Sequence, residues 1–103
     1  MFIGRVTGTV VATQKVPSVA GKKLLLVQAL TVKGDGPGAL VDTGRSAVAV
    51  DTVGAGEGEI VIVTQGSSAR LTDMTQKVPT DAVIVGIVDA IQVGTTQLYA
   101  KRD

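Results

Sequence analysis

The hydrophobic and polar positions of this chain alternate in short blocks broken by glycine and proline. From Phe2 to Gln14 one parity carries Ile3, Arg5, Thr7, Thr9, Val11 and Thr13, and the other carries Phe2, Val6, Val10 and Ala12. That is the period of a strand with one more apolar face, and Gly4 and Gly8 mark places where it bends, as barrel strands must. "KVPSVAGKK", Lys15 to Lys23, holds a proline and a glycine and reads as a loop. Leu24 to Val32, "LLLVQALTV", is a nearly continuous apolar run, short enough for a strand buried on both faces. Lys33 to Ser46 contains four glycines and a proline and reads as a long irregular surface connection.

Two short strands come next, Ala47 to Asp51 and Glu59 to Gln65, on either side of "TVGAGEG". Ser67 and Ser68 are good helix caps, so "SSARLTDM" predicts one or two helical turns before Lys77, Val78 and Pro79 end them. Asp81 to Ile91 predicts another long strand with an internal glycine at Gly86, and Leu98 and Tyr99 form a last apolar pair before the charged "KRD". Five main strands with one short helix between the fourth and fifth fit an all-β class and a small OB-like β-barrel, residues 1–103 forming a single domain. Closure removes the edges that an open valine-rich sheet would offer to aggregation.

Composition supports that class and empties it of chemistry. Eighteen valines, six isoleucines and twelve threonines favour pleated strands over helices. Only 18% of the residues are charged against a usual figure of about 25%, which points to surface that meets other protein. Ten basic against nine acidic residues give a net charge of +1, too weak a field to gather nucleic acid. There is no cysteine and no histidine, hence no disulfide, no thiolate or imidazole metal ligand and no histidine base. No apolar run approaches the ~18 residues of a membrane span, and nothing resembles a secretory leader, so the chain reads as cytoplasmic.

The glycines at Gly54, Gly56 and Gly58 invite a phosphate-binding reading. A dinucleotide loop, however, needs G-x-G-x-x-G opening onto a helix whose first N–H groups meet the phosphate. Here the spacing is G-x-G-x-G, the loop opens onto the strand Glu59-Ile60-Val61-Ile62-Val63, and Glu57 and Glu59 would repel an anion. The glycines are better read as a tight strand connection that uses positive φ and close approach of another segment. Asp51, Glu57, Glu59, Asp81 and Asp89 are the carboxylates available for acid–base work. Each sits at a strand end or in a turn, where a solvated or capping role is usual. Ser67 and Ser68 lack a histidine partner. Arg70 offers a planar set of donors that could tie a neighbour's carboxylate or carbonyl groups.

The stretch from Val48 to Arg70, "VAVDTVGAGEGEIVIVTQGSSAR", resembles the central motif of the EutN/CcmL family of bacterial microcompartment vertex proteins. "GRVTGTVVATQK" from Gly4, "GKKLLLVQ" from Gly21 and "DAVIVGIVD" from Asp81 resemble the matching flanks. The resemblance implies an OB-like barrel that assembles into a homopentameric ring at the corner of a polyhedral shell in the cytoplasm, beside hexagonal shell proteins, with no catalysis and no cofactor. It implies that Gly54, Gly56, Gly58, Gly66, Ser67, Ser68 and Arg70 lie where subunits crowd near the ring axis and its pore. The wording of "GKKLLLVQ" and "ATQK" leans toward a catabolic shell, with a carboxysome as the alternative. An OB-type module for single-stranded nucleic acid or a small ligand is the competing class. Such modules stack bases on aromatic side chains in a basic groove, and only Phe2 and Tyr99 are available here. A small enzyme using Glu57, Glu59 or Asp51 is the third.

Overall fold

A computed structural model describes residues 1–12, 21–66 and 81–101. Seven strands lie within them: β1 (Phe2–Val10), β2 (Leu24–Val32), β3 (Leu40–Asp51), β4 (Ile60–Gln65), β5 (Ala82–Ile87), β6 (Ala90–Val93) and β7 (Thr96–Ala100). The first five close into a barrel in the order β1-β2-β3-β5-β4, and β4 pairs back onto β1. All pairs are antiparallel except β3 with β5. β6 and β7 form a separate two-stranded sheet.

In β1 the inward-facing residues belong to the apolar parity that the alternation marks. Val6, Leu25, Val27, Ala49, Val61, Val63, Ala82 and Ile84 pack with Ala55 into one core, against which Phe2 and Ile87 rest. These side chains are small and branched, and they fill the interior of a five-stranded barrel without aromatics. A second cluster, Val50 and Val83 with Leu24 and Val85, lies apart from the first.

Several expectations are corrected. The first strand ends at Val10, and Val11 beyond it is almost fully exposed. Lys33 to Ser46 is not one long loop: only the stretch to Ala39 is, closed by the Lys33 N–H donating to the Ala39 carbonyl at 2.7 Å, and β3 begins at Leu40. The strand was hidden by a wide bulge in which Thr43, Gly44 and Arg45 stand opposite Ala29. Polar side chains there replace the interrupted ladder, since Gly44 N–H donates to Asp42 and the Thr43 hydroxyl donates to the Ala29 carbonyl. Asp81 to Ile91 is likewise two strands. The chain breaks at Val88 and Asp89, where the Val88 N–H donates to Ile60, and leaves the barrel as β6. β2 is not buried on both faces: Leu25 and Val27 point inward, but Leu26 between them is 36% exposed. The expected helix over 67–74 lies outside the described residues.

Candidate functional site

Thr52 to Glu59 joins β3 to β4, which are not neighbours in the barrel, so this loop is no hairpin turn. It passes across an open end of the barrel and plugs it. Ala55 is fully buried and belongs to the main core. The Thr52 hydroxyl donates to the Ile84 carbonyl at 2.6 Å and anchors the loop to β5.

Asp51 organises the loop, and it is the one buried charged or polar residue among those described. One carboxylate oxygen accepts from the N–H groups of Val53 at 3.0 Å and Gly54 at 3.2 Å, and the other accepts from Ala55 at 2.9 Å. Successive amides folded around an anion form a concave nest, the geometry by which glycine loops hold phosphate. The anion here is the chain's own. Lys23 stands 3.6 Å from the same carboxylate and donates to the Ala55 carbonyl at 2.7 Å. Lys23 is half exposed, so the amide bonds rather than the ion pair do most of the stabilising.

Three further amides of the loop are also engaged. Gly56 N–H donates to Glu59 Oε1 at 2.6 Å, Gly58 N–H to the Val6 carbonyl at 2.8 Å and Glu59 N–H to the Gly56 carbonyl at 3.2 Å. Val6 N–H returns the bond to the Glu59 carbonyl at 2.9 Å, stitching the loop to β1. A phosphate would find these donors already occupied.

Gly54 and Gly58 have φ of 78° and 84°, the left-handed region that side chains disfavour. Gly56 does not: its φ is not positive, and a Cβ there would meet only Glu59 Oε1 at 3.5 Å. The expectation of positive φ therefore holds at two of the three glycines. Glu59 also pairs with Lys101 at 2.7 Å, and this bond, with the Gly56 amide, holds its carboxyl below the ordinary carboxylate value while raising the Lys101 ammonium.

Gly66, also singled out by sequence, is not gathered here. Gly66 follows β4 and donates to the Asp81 carbonyl at 2.8 Å, at the strand end opposite to Glu59. Six strand residues, about 20 Å, separate the two glycine groups. Ser67, Ser68 and Arg70 lie outside the described residues. Sequence reasoning weighs Asp51 only as a possible acid or a generic cap and misses Lys23 and Lys101. A carboxylate leading straight into a glycine-rich turn is the signal that could have found the nest, because Asp bonds readily to amides two or three residues on.

No other site with chemistry emerges among the described residues. An open cleft of about 360 Å³ beside the β3 bulge is lined by Phe2, Leu30, Thr31, Thr43, Arg45 and Gln65 among others, with no carboxylate in its wall. No three His, Cys, Asp or Glu side chains among the described residues could hold a metal ion together, and no helix among them is long and apolar enough to cross a membrane. Phe2 leans on the barrel core while Tyr99 pairs with Ile91 in the separate hairpin, so the two aromatics do not share a stacking platform.

The family described as "Ethanolamine utilisation protein EutN/carboxysome" matches residues 1–89. The chain belongs to the EutN/CcmL family. Among EutN/CcmL relatives, the bacterial microcompartment shell vertex protein GrpN of Rhodospirillum rubrum is 50% identical over 92 residues, 89% of this chain and 97% of its own. The carboxysome shell vertex protein CcmL of Gloeobacter violaceus is 44% identical over 103 residues, 100% of this chain and 97% of its own. Its solved structure superimposes with a TM-score of 0.88 over the full length of both chains. The pentameric microcompartment shell protein GrpN superimposes at 0.75 with 47% identity, covering 92% of this chain and 100% of its own. The all-β barrel is thus the fold of known shell proteins, and no catalytic family is indicated.

Proposed function

We propose that five copies of this chain close into a ring that occupies a vertex of a bacterial microcompartment shell in the cytoplasm, as a structural part without catalysis. Membership of a family whose relatives are named shell vertex proteins, one of them pentameric, carries the reading. The occupied amides of the glycine loop support it from the other side, because the one motif that suggested nucleotide chemistry is spent on the chain's own carboxylates.

A ring of identical copies uses two different patches on each subunit and ends only if the rotation between them closes. We place Gly54, Gly56, Gly58, Gly66, Ser67, Ser68 and Arg70 at that contact; a seam running along β4 would reach both groups of glycines. Hexagonal shell proteins are the remaining partners in this reading. The lean toward a catabolic shell rests on the wording of "GKKLLLVQ" and "ATQK". The carboxysome alternative is favoured by CcmL, which aligns over the whole chain where GrpN leaves about a tenth of it unmatched.

Native mass spectrometry of the purified chain should give a particle of five copies, and a clean monomer at micromolar concentration would sink the proposal. Arg70→Glu should reduce the copy number while circular dichroism keeps the barrel signature; an unchanged copy number would remove Arg70 from the contact. Mass spectrometry of intact shells with their contents decides between the two kinds of shell.

A further inference from the structure

The β6–β7 hairpin is lightly held. No strand ladder joins it to the barrel, and none of residues 89–101 is buried. A two-stranded hairpin by itself is marginal in water, so its order leans on the bonds at its base. Three are made there. Val88 N–H donates to the Ile60 carbonyl at 2.8 Å, Lys101 N–H donates to the Asp89 carbonyl at 2.7 Å, and the Lys101 ammonium donates to Glu59 Oε2 at 2.7 Å. Two of the three reach the start of β4, at Glu59 and Ile60.

Glu59 is also the last residue of the barrel-end loop. Its other oxygen, Oε1, accepts from the Gly56 N–H at 2.6 Å, and its own N–H donates to the Gly56 carbonyl at 3.2 Å. The amides of residues 53–55 hang on Asp51 instead. One carboxylate therefore spans two elements, and neither of its oxygens moves without the other. A swing of the Lys101 ammonium turns the carboxylate off the Gly56 amide, and opening at Gly56 withdraws Oε2 from Lys101. The Lys101 side chain is 34% and the Glu59 side chain 23% exposed, so the charge-assisted bond is partly shielded from water. Lys23, the other cation near Glu59, is taken by Asp51 and the Ala55 carbonyl. Lys101 is left to set the angle of the carboxylate.

We propose that Glu59 is a clasp through which the β6–β7 hairpin and residues 56–59 of the loop open and close as one unit while the barrel beneath stays shut. Proteins open in such local units at free energies below that of global unfolding. The coupling is reciprocal: whatever settles on the hairpin also firms the loop, and whatever loosens the loop releases the hairpin. The clasp lies within one chain and goes beyond the proposed vertex role without resting on it.

Residue-resolved amide exchange by NMR on the full chain at neutral pH tests the clasp. Lys101→Met removes the ammonium, which makes no bond to the Gly56 backbone. The amides of the β6–β7 ladder and of Gly56 should nevertheless both exchange about fivefold faster or more, with the β1–β2 ladder unchanged. Lys101→Arg keeps a charge-assisted bond and should stay near wild-type rates. Glu59→Gln should free both elements, and Lys101→Met added to it should change little more, because the two side chains act in one interaction. Faster exchange in the hairpin with Gly56 unmoved would overturn the clasp and leave Lys101 a local staple. No change in either element, additive effects in the double variant, or equal acceleration across the β1–β2 ladder would overturn it too. A copy number that differs between Lys101→Met and wild type by native mass spectrometry would put the coupling between chains and overturn a clasp within one. A wild-type chain that runs as a monomer would instead overturn the ring reading and leave the clasp standing on its own exchange rates.

Discussion

At the residue scale, the three glycines of the barrel-end loop are not equivalent, although the sequence spaces them evenly. Gly54 and Gly58 hold positive φ and Gly56 does not. Gly54→Ala and Gly58→Ala should each cost about 1 kcal/mol or more of unfolding free energy, and Gly56→Ala distinctly less, by urea denaturation. Equal losses at all three would mean that crowding rather than backbone conformation governs the loop. Asp51→Ala removes the acceptor for three N–H groups under the loop and should cost about 2–4 kcal/mol in the same assay. A change below about 0.5 kcal/mol would show that water replaces the carboxylate freely. Even spacing of glycines is legible in a sequence; which of them turns left-handed depends on where Asp51 draws the amides, and no local pattern at Gly56 announces that.

At the element scale, the barrel strands were readable because alternation follows from a surface wet on one side and packed on the other. β2 and β4 needed only their apolar runs to be found. The first half of β3 was not readable, since its bulge puts Asp42, Thr43, Gly44, Arg45 and Ser46 in succession and mimics a loop. The β6–β7 hairpin was missed because short strands with few apolar residues fall below any periodicity signal. That hairpin is tied to the barrel-end loop by Glu59 and Lys101, and the tie has a pH signature. The Glu59 carboxyl lies below its ordinary 4.5 in the fold, so its contribution is present above that value and fades as pH falls through the lower folded value. The Lys101 ammonium is raised above its ordinary 10.5, so its share persists below 10.5 and fades only at still higher pH. The difference in melting temperature between wild type and Glu59→Gln should therefore be flat from about pH 6 to 9 and shrink in acid. A difference that grows toward acid would have the wrong sign for this pair.

At the scale of the whole molecule, the closed order β1-β2-β3-β5-β4 with one parallel pair was legible only as a class, because strand order depends on contacts far apart in sequence. Low charge, by contrast, was a direct clue: a 103-residue chain with 18% charged residues has little to spend on surfaces that stay wet. An assembly held by apolar contact should keep its copy number between about 0.05 and 0.5 M salt by native sizing, and dissociation at high salt would show that charge pairs hold the ring instead. Ala55 stops one end of a barrel whose interior is already filled with valine, leucine, isoleucine and alanine. Among the described residues the barrel is therefore filled, so an opening in a ring of such subunits would lie between copies rather than through one of them.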